Sequence, residues 1–246
     1  MVNDDDRGYG SLEALLFDVF GTLVDWRTSL IDDLTAFGRG RGLHTDWAAF
    51  VDAWRGAYQP SMERVRRGEQ PWAPLDALHR ASFDVLASQH GIAGALSDAD
   101  RAWCVDRWHR LRPWPDVVAG LTRLRARFIV GTLSNGNVRL LADLAKSAPL
   151  PMDVLFSAET FGHYKPDPQT YRGAVAMLAA QPANVMLVAA HNGDLRAART
   201  HVPGLRTAFV ARPTEYGPHQ DADVVAEDGV GLAVRDLGEL ADRIGA

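Results

Sequence analysis

Residues 12–23, LEALLFDVFGTL, decide the architecture. A short apolar run leads into Asp18 and is followed by Gly21 and Thr22, the pattern of a buried strand entering a turn. A polar side chain placed directly after such a strand stands at its carboxyl end, and that edge is where open α/β sheets build their chemistry.

Beyond residue 113 strand and helix patterns alternate. A helix is expected at 117–127, then the strand FIVGTL at 128–133, a helix at 139–146, a strand at 154–157 and a helix at 170–180. A strand at 185–189, a helix at 195–201 and a strand at 207–210 complete the series. Such alternation builds a parallel sheet with helices on both faces, joined by right-handed crossovers. Residues 28–112 differ in kind: apolar residues recur at spacings of three and four, tryptophans are frequent, and β-branched runs are absent. Helices are expected at 29–37, 47–66 (bent or broken at Pro60), 75–90 and 99–111, with Ser97 and Asp100 as a capping box. The chain therefore reads as an α/β core formed by residues 12–27 plus 113–246, with a helical block at 28–112 inserted after the first strand. Residues 1–11 are acidic and read as a flexible leader. A ligand cleft is expected between the strand ends and the insertion.

Composition narrows the class. The 246 residues are 47% hydrophobic and 23% charged, enough to bury a core and too apolar for a disordered chain. A net charge of -5 without any basic block speaks against nucleic acid or an anionic membrane as partner, and no apolar run is long enough for a membrane span. Cys104 is the only cysteine, which excludes an intrachain disulfide and fits a reducing, cytoplasmic setting; it reads as a buried filler. Trp47, Trp54, Trp103 and Trp108 read as core residues of the insertion.

Four strand ends carry polar groups: Asp18 with Thr22, Ser134 with Asn135, the Lys165 segment, and the segment closing at Asp194. Each alone has an ordinary explanation as a turn or cap. Together they bring a carboxylate, a hydroxyl, an ammonium and a second carboxylate to one edge of one sheet. Lys165 is one of only two lysines in a chain whose other cations are arginines, which suggests a need there for a compact ammonium. Beside a carboxylate, it would keep that group ionised and ready to act as a nucleophile.

The motifs FDVFGTLVDW, LSNGN, KPDPQTY and AAHNGD, in this order and with a helical insertion after the first, resemble the haloacid dehalogenase superfamily over nearly the whole chain from residue 12. The resemblance implies a Rossmann-like parallel sheet with an inserted cap domain, and it places the family's covalent nucleophile on Asp18. Two departures from the phosphatases of that superfamily separate the branches. Phosphatases carry a second aspartate two positions after the nucleophile, where this chain has Phe20, and an acidic residue in the fourth motif, where it has Ala189. Phosphoryl transfer leans on a cation and on protonation of the leaving group, whereas a departing halide needs no proton. The sequence is thus most similar to the L-2-haloacid dehalogenases, which need neither metal nor cofactor. Arg55 in AWRGAY matches that group's cap arginine, Lys165 and Tyr171 its lysine and tyrosine, and Asp194 its final aspartate. The fourth motif differs, with Ala189 and His191 at places usually held by serine and asparagine.

The resemblance implies hydrolysis of short (S)-2-haloalkanoic acids, with haloacetates as further candidates, through an aspartyl ester on Asp18. Lys165 and Thr22 would orient Asp18, Ser134 and Asn135 would hold the substrate carboxylate, and Arg55 with Asn135 would receive the halide. Asp194, with His191, would position or deprotonate water. His191 has two readings, a cap residue or a donor favouring a small, strongly hydrated halide. The expected partners are the 2-haloacid and water, and a homodimer is the assembly often found among such relatives. The alternatives are a magnesium-dependent phosphatase of the same fold, or a silent member that binds a small acid or a protein.

Overall fold

The computed structural model describes residues 8–246. The expected leader at 1–11 falls largely outside them; of its described part, Tyr9 packs against the core and the Arg206 guanidinium lies over its ring. The central layer is a six-stranded parallel sheet. Its strands are β1 (Ala14–Phe17), β4 (Ile129–Ser134), β5 (Val154–Ser157), β6 (Val185–Ala189), β7 (Arg206–Val210) and β8 (Leu232–Val234), in the spatial order β5-β4-β1-β6-β7-β8. The chain winds from β1 outward through β4 and β5, then returns to β6 on the other side of β1. That reversal opens a crevice at the carboxyl ends of β1 and β6.

Side-chain alternation along β1 explains the two helical layers. Leu15 and Phe17 face one core, which they share with Leu121 and Leu124 of α6 (Val117–Arg125), Leu140, Leu141 and Leu144 of α7 (Val138–Ser147), and Leu237 and Leu240 of α11 (Leu237–Ile244). Ala14 and Leu16 face the other, with Tyr171, Ala174 and Val175 of α9 (Pro168–Met177) and Leu195 and Ala198 of α10 (Asn192–His201). The strands are thus buried on both faces, as a parallel sheet requires.

The helical insertion begins and ends at one short antiparallel ladder, β2 (Val24–Asp25) against β3 (Arg112–Pro113). It holds α1 (Trp26–Arg41), α2 (Trp47–Gly56), α3 (Tyr58–Arg66), α4 (Leu75–Gln89) and α5 (Asp98–Asp106), followed by a 3-10 turn at Arg107–Arg110. Helix α1 starts three residues before the expected boundary because the Asp25 side chain accepts a hydrogen bond from the Thr28 amide and caps it. The Ser97–Asp100 capping box forms at the start of α5.

Several expected boundaries shift. The long helix at 47–66 breaks at Ala57 rather than at Pro60, which sits in the first turn of α3; an amide there has no intrahelical acceptor, so a proline is tolerated. Helix α10 begins at Asn192, three residues early, so Asp194 lies in its first turn and His191 is its N-cap. Strand β8 and helix α11, which the sequence did not suggest, close the sheet. Trp47, Trp54 and Trp108 are buried, but Trp103 is 37% exposed, stacked on Phe37 and covered by Arg107. Cys104 is buried, and burial pushes its thiol up to about 12. No helix among the described residues is long and apolar enough to cross a membrane.

Candidate active site

Asp18 follows β1 directly, with its side chain about nine-tenths buried. The turn after it needs Gly21, whose φ of +84° favours glycine and whose missing Cβ would collide with the Glu215 carboxylate at 2.1 Å. One residue on, the Thr22 hydroxyl donates to Asp18 Oδ2 at 2.8 Å and accepts from the Ala190 amide at 2.9 Å. It therefore ties the Asp18 loop to the end of β6.

Lys165, in the loop before α9, is the centre of the charge pattern. Its Nζ donates to Asp18 Oδ1 at 2.9 Å and to Asp194 Oδ2 at 2.6 Å, and Tyr171 completes the set by donating to Asp194 Oδ1 at 2.6 Å. Asn135 holds that loop by accepting from the Lys165 amide at 2.7 Å. The second ring of charge comes from His191, whose Nδ1 lies 3.2 Å from Asp18 Oδ2 and whose Nε2 lies 3.0 Å from Glu215 Oε2. Glu215 also accepts from Trp26 Nε1 at 2.9 Å and has the Arg55 guanidinium at 3.9 Å.

These contacts decide protonation. Burial alone would raise the Asp18 carboxyl, but the Lys165 ammonium and the His191 ring more than offset it and hold it well below the usual carboxylate range. Burial would likewise discharge Lys165, yet Asp18 and Asp194 push it up, and it stays an ammonium. His191 is driven well above its ordinary value by Glu215 and Asp18 against the cost of burial. Tyr58 is pushed up to about 12 by burial and remains a phenol.

Asp18, Arg55, Asn135, Lys165, His191 and Tyr216 line one cavity of about 860 Å³ between the strand ends and α2–α3. The Arg55 guanidinium packs over the rings of Tyr58 and Trp26, at 4.3 and 5.4 Å, and its buried Nε has no hydrogen-bond partner. An unpaired cationic donor at the wall of a cleft is a place for an anion. Of the nine expected site residues, eight meet in this cluster or its immediate support. Ser134 does not: it is fully buried, its Oγ accepts from the Gly136 amide at 3.1 Å, and the hydroxyl shapes its own turn instead of facing the cavity. Trp26, Tyr58, Glu215 and Tyr216 were not anticipated. For Glu215 the signal available was its place, the acidic residue following the strand expected at 207–210.

The superfamily's phosphatases imply a divalent cation, and the donor set here does not fit one. Phe20 is apolar and 2% exposed, Ala189 offers no oxygen, and the oxygens of Asp18 and Asp194 that face each other already share the Lys165 ammonium.

The model of the haloacid dehalogenase-like hydrolases matches residues 12–201. The chain belongs to that family. Among curated relatives, this haloacid dehalogenase-like hydrolase is 29% identical to (S)-2-haloacid dehalogenase 4A of Burkholderia cepacia, over 84% of this chain and 87% of that one. It is 26% identical to (S)-2-haloacid dehalogenase 1 of Pseudomonas sp. (strain CBS-3), over 83% and 88%. Among solved structures, an L-2-haloacid dehalogenase is 50% identical, with a TM-score of 0.91 over 95% of this chain and 99% of the other. A defluorinating L-2-haloacid dehalogenase is 42% identical, with a TM-score of 0.92 over 96% of each.

Proposed function

We propose that this hydrolase is an (S)-2-haloacid dehalogenase that attacks C2 of a short 2-haloalkanoate with the Asp18 carboxylate. The observation that carries the reading is the environment of Asp18: a buried carboxylate kept ionised by Lys165 and His191, two residues before the apolar Phe20. Such a group is a nucleophile, and the position two residues on carries no carboxylic acid to protonate a leaving group, which suits one that departs as an anion.

In the first half of the cycle a C–O bond forms between Asp18 and C2 while the carbon–halogen bond breaks, the halide taking the electron pair and C2 inverting. Arg55, with its free Nε, receives the developing halide charge, and Asn135 lines the same wall. Lys165 and Thr22 aim the carboxylate, while Asp194, gripped by Tyr171, holds the ammonium in place. In the second half water attacks the Asp18 carbonyl carbon and frees a 2-hydroxy acid.

The test is halide release from chloroacetate, fluoroacetate and both enantiomers of 2-chloropropionate, with a chelator present and a magnesium-dependent phosphatase assay in parallel. Fluoroacetate belongs in the set because one 42%-identical relative is a defluorinating enzyme. Release from the (S) enantiomer that survives chelation is expected. No halide from any of them, alongside magnesium-dependent phosphate release, would overturn the reading.

A further inference from the structure

An imidazole placed between two carboxylates has a restricted set of roles. Both ring nitrogens of His191 face carboxylate oxygens, Asp18 Oδ2 at 3.2 Å and Glu215 at 3.0 and 3.2 Å. Ionised carboxylates only accept, so both contacts are hydrogen bonds only when the ring carries two protons. In the resting site His191 is a donor and cannot take a proton from water. Asp194 is an awkward alternative base, because each of its oxygens already accepts a 2.6 Å hydrogen bond, one from Tyr171 and one from Lys165.

Alkylation of Asp18 changes this balance. The resting cluster pairs three carboxylates, Asp18, Asp194 and Glu215, with three cations, Lys165, Arg55 and the His191 imidazolium. Turning Asp18 into an ester removes one negative charge and leaves an excess of one positive. The His191 Nδ1 proton then faces a neutral carbonyl and is the proton that can leave, while Nε2–H stays fixed on Glu215. Resting on the dehalogenase reading, we infer that Glu215 is a positioning residue for ester hydrolysis. It holds His191 with Nδ1 toward the Asp18 carboxyl, so that this nitrogen is a donor to the free carboxylate and the base for water once the ester has formed.

The protons balance. After the halide departs, His191 releases the Nδ1 proton to solvent. Neutral His191 then takes a proton from the water that attacks the Asp18 carbonyl carbon, and returns one to the alkoxide oxygen as the tetrahedral intermediate collapses. The Asp18 carboxylic acid so formed gives its proton to Nδ1, which restores the resting imidazolium. The net change is ester plus water to 2-hydroxy acid, Asp18 carboxylate and one proton.

Glu215 is built for such a role. Its side chain is 1% exposed, Trp26 Nε1 donates to it at 2.9 Å, and Gly21 leaves the space that it fills. Asp18 after β1 and Glu215 with Tyr216 after β7 act directly on His191, and Arg55 on α2, Tyr58 on α3, Lys165 before α9 and Asp194 on α10 line the same cavity.

The experiment uses the full-length protein and (S)-2-chloropropionate, and reads halide release on the burst timescale together with the mass of the Asp18 peptide. In Glu215→Gln, a burst of one halide per active site is expected, followed by a steady state slower on the order of 10²-fold. The ester accumulates on Asp18. The limb of turnover that reports deprotonation of His191 moves to lower pH, because removing the anion at Nε2 favours the neutral ring. His191→Asn, which leaves the Trp26–Glu215 pair in place, also accumulates ester and guards against a folding defect in the first variant. Parallel slowing of burst and turnover with no ester in either variant, or a pH limb unmoved in Glu215→Gln, overturns the inference. A wild-type protein that releases no halide overturns the dehalogenase reading instead, so the two failures are distinct.

Discussion

At the scale of single residues, a buried ammonium stands between two carboxylates, and Lys165 supplies it. Lys165→Met leaves Asp18 and Asp194 buried without their shared cation, a loss of about 3–5 kcal/mol in stability. Because Lys165 and His191 together hold the Asp18 carboxyl far down, its favourable charge is present above the ordinary carboxylate range and lost as pH falls through the folded value. Taking away Lys165 raises that value. The acid limb of halide release is therefore expected to move up in pH in Lys165→Met; measured pH profiles that coincide with wild type would contradict it. Asp18→Asn should release no halide at all, and oxygen-18 from labelled water should enter Asp18 of the wild type before product in a single turnover. Label appearing first in the hydroxy acid would exclude the ester. These residues were legible because each is a polar group at a strand end. Ser134 misled because a hydroxyl beside a glycine turn satisfies itself locally. Glu215 was missed because its place after a strand was its one signal, and its contacts, Gly21, Trp26, Arg55 and His191, come from stretches far apart in the chain.

Among the elements, close approach of backbones sets the tolerances. Gly120 on α6 lies against Leu237, the first residue of α11, and an added Cβ would meet the Leu237 Cβ at 2.4 Å. Two effects of Gly120→Ala oppose each other. Alanine favours a helix interior by about 1 kcal/mol over glycine, whereas forcing a carbon into a packed contact costs roughly 1–3 kcal/mol. The neighbour here is a Cβ and backbone, not a flexible tip, so the clash wins. Gly120→Ala is expected to lower Tm by several degrees; an unchanged or raised Tm would mean that α11 shifts freely. The order of the parallel strands β1, β4, β5, β6 and β7 was readable from period and punctuation, whereas the two-residue strands β2 and β3 are too short to leave a pattern. Strand β8 and α11 were not, since β8 has only three residues and follows a long loop from β7. The starts of α1 and α10 were also displaced. A cap such as Asp25 fixes a boundary through one side-chain hydrogen bond that periodicity does not register.

For the molecule as a whole, the cavity exists only while the helical insertion stays seated over the strand ends, and titratable groups help to seat it. His109, in the turn at Arg107–Arg110, joins Asp76 of α4 through Nε2 at 3.1 Å and Asp143 of α7 through Nδ1 at 2.9 Å; Asn137 donates to Asp76 at 2.9 Å. The insertion and the core thus meet through one imidazole. Burial opposes its charge, but Asp76 and Asp143 raise it above its ordinary value, with Asp106 adding to the effect. A raised folded value means that the stabilisation is complete below the unfolded value, near 6.5, and fades as pH climbs through the folded one. Hydrogen bonds to charged groups contribute about 1.5–3 kcal/mol, so His109→Gln should lower Tm on the order of 5 °C at pH 5.5. The gap between variant and wild type should narrow steadily toward pH 9. Thermal unfolding of both proteins across that range checks it, and a gap that is constant or widens with pH would show that His109 acts by shape alone.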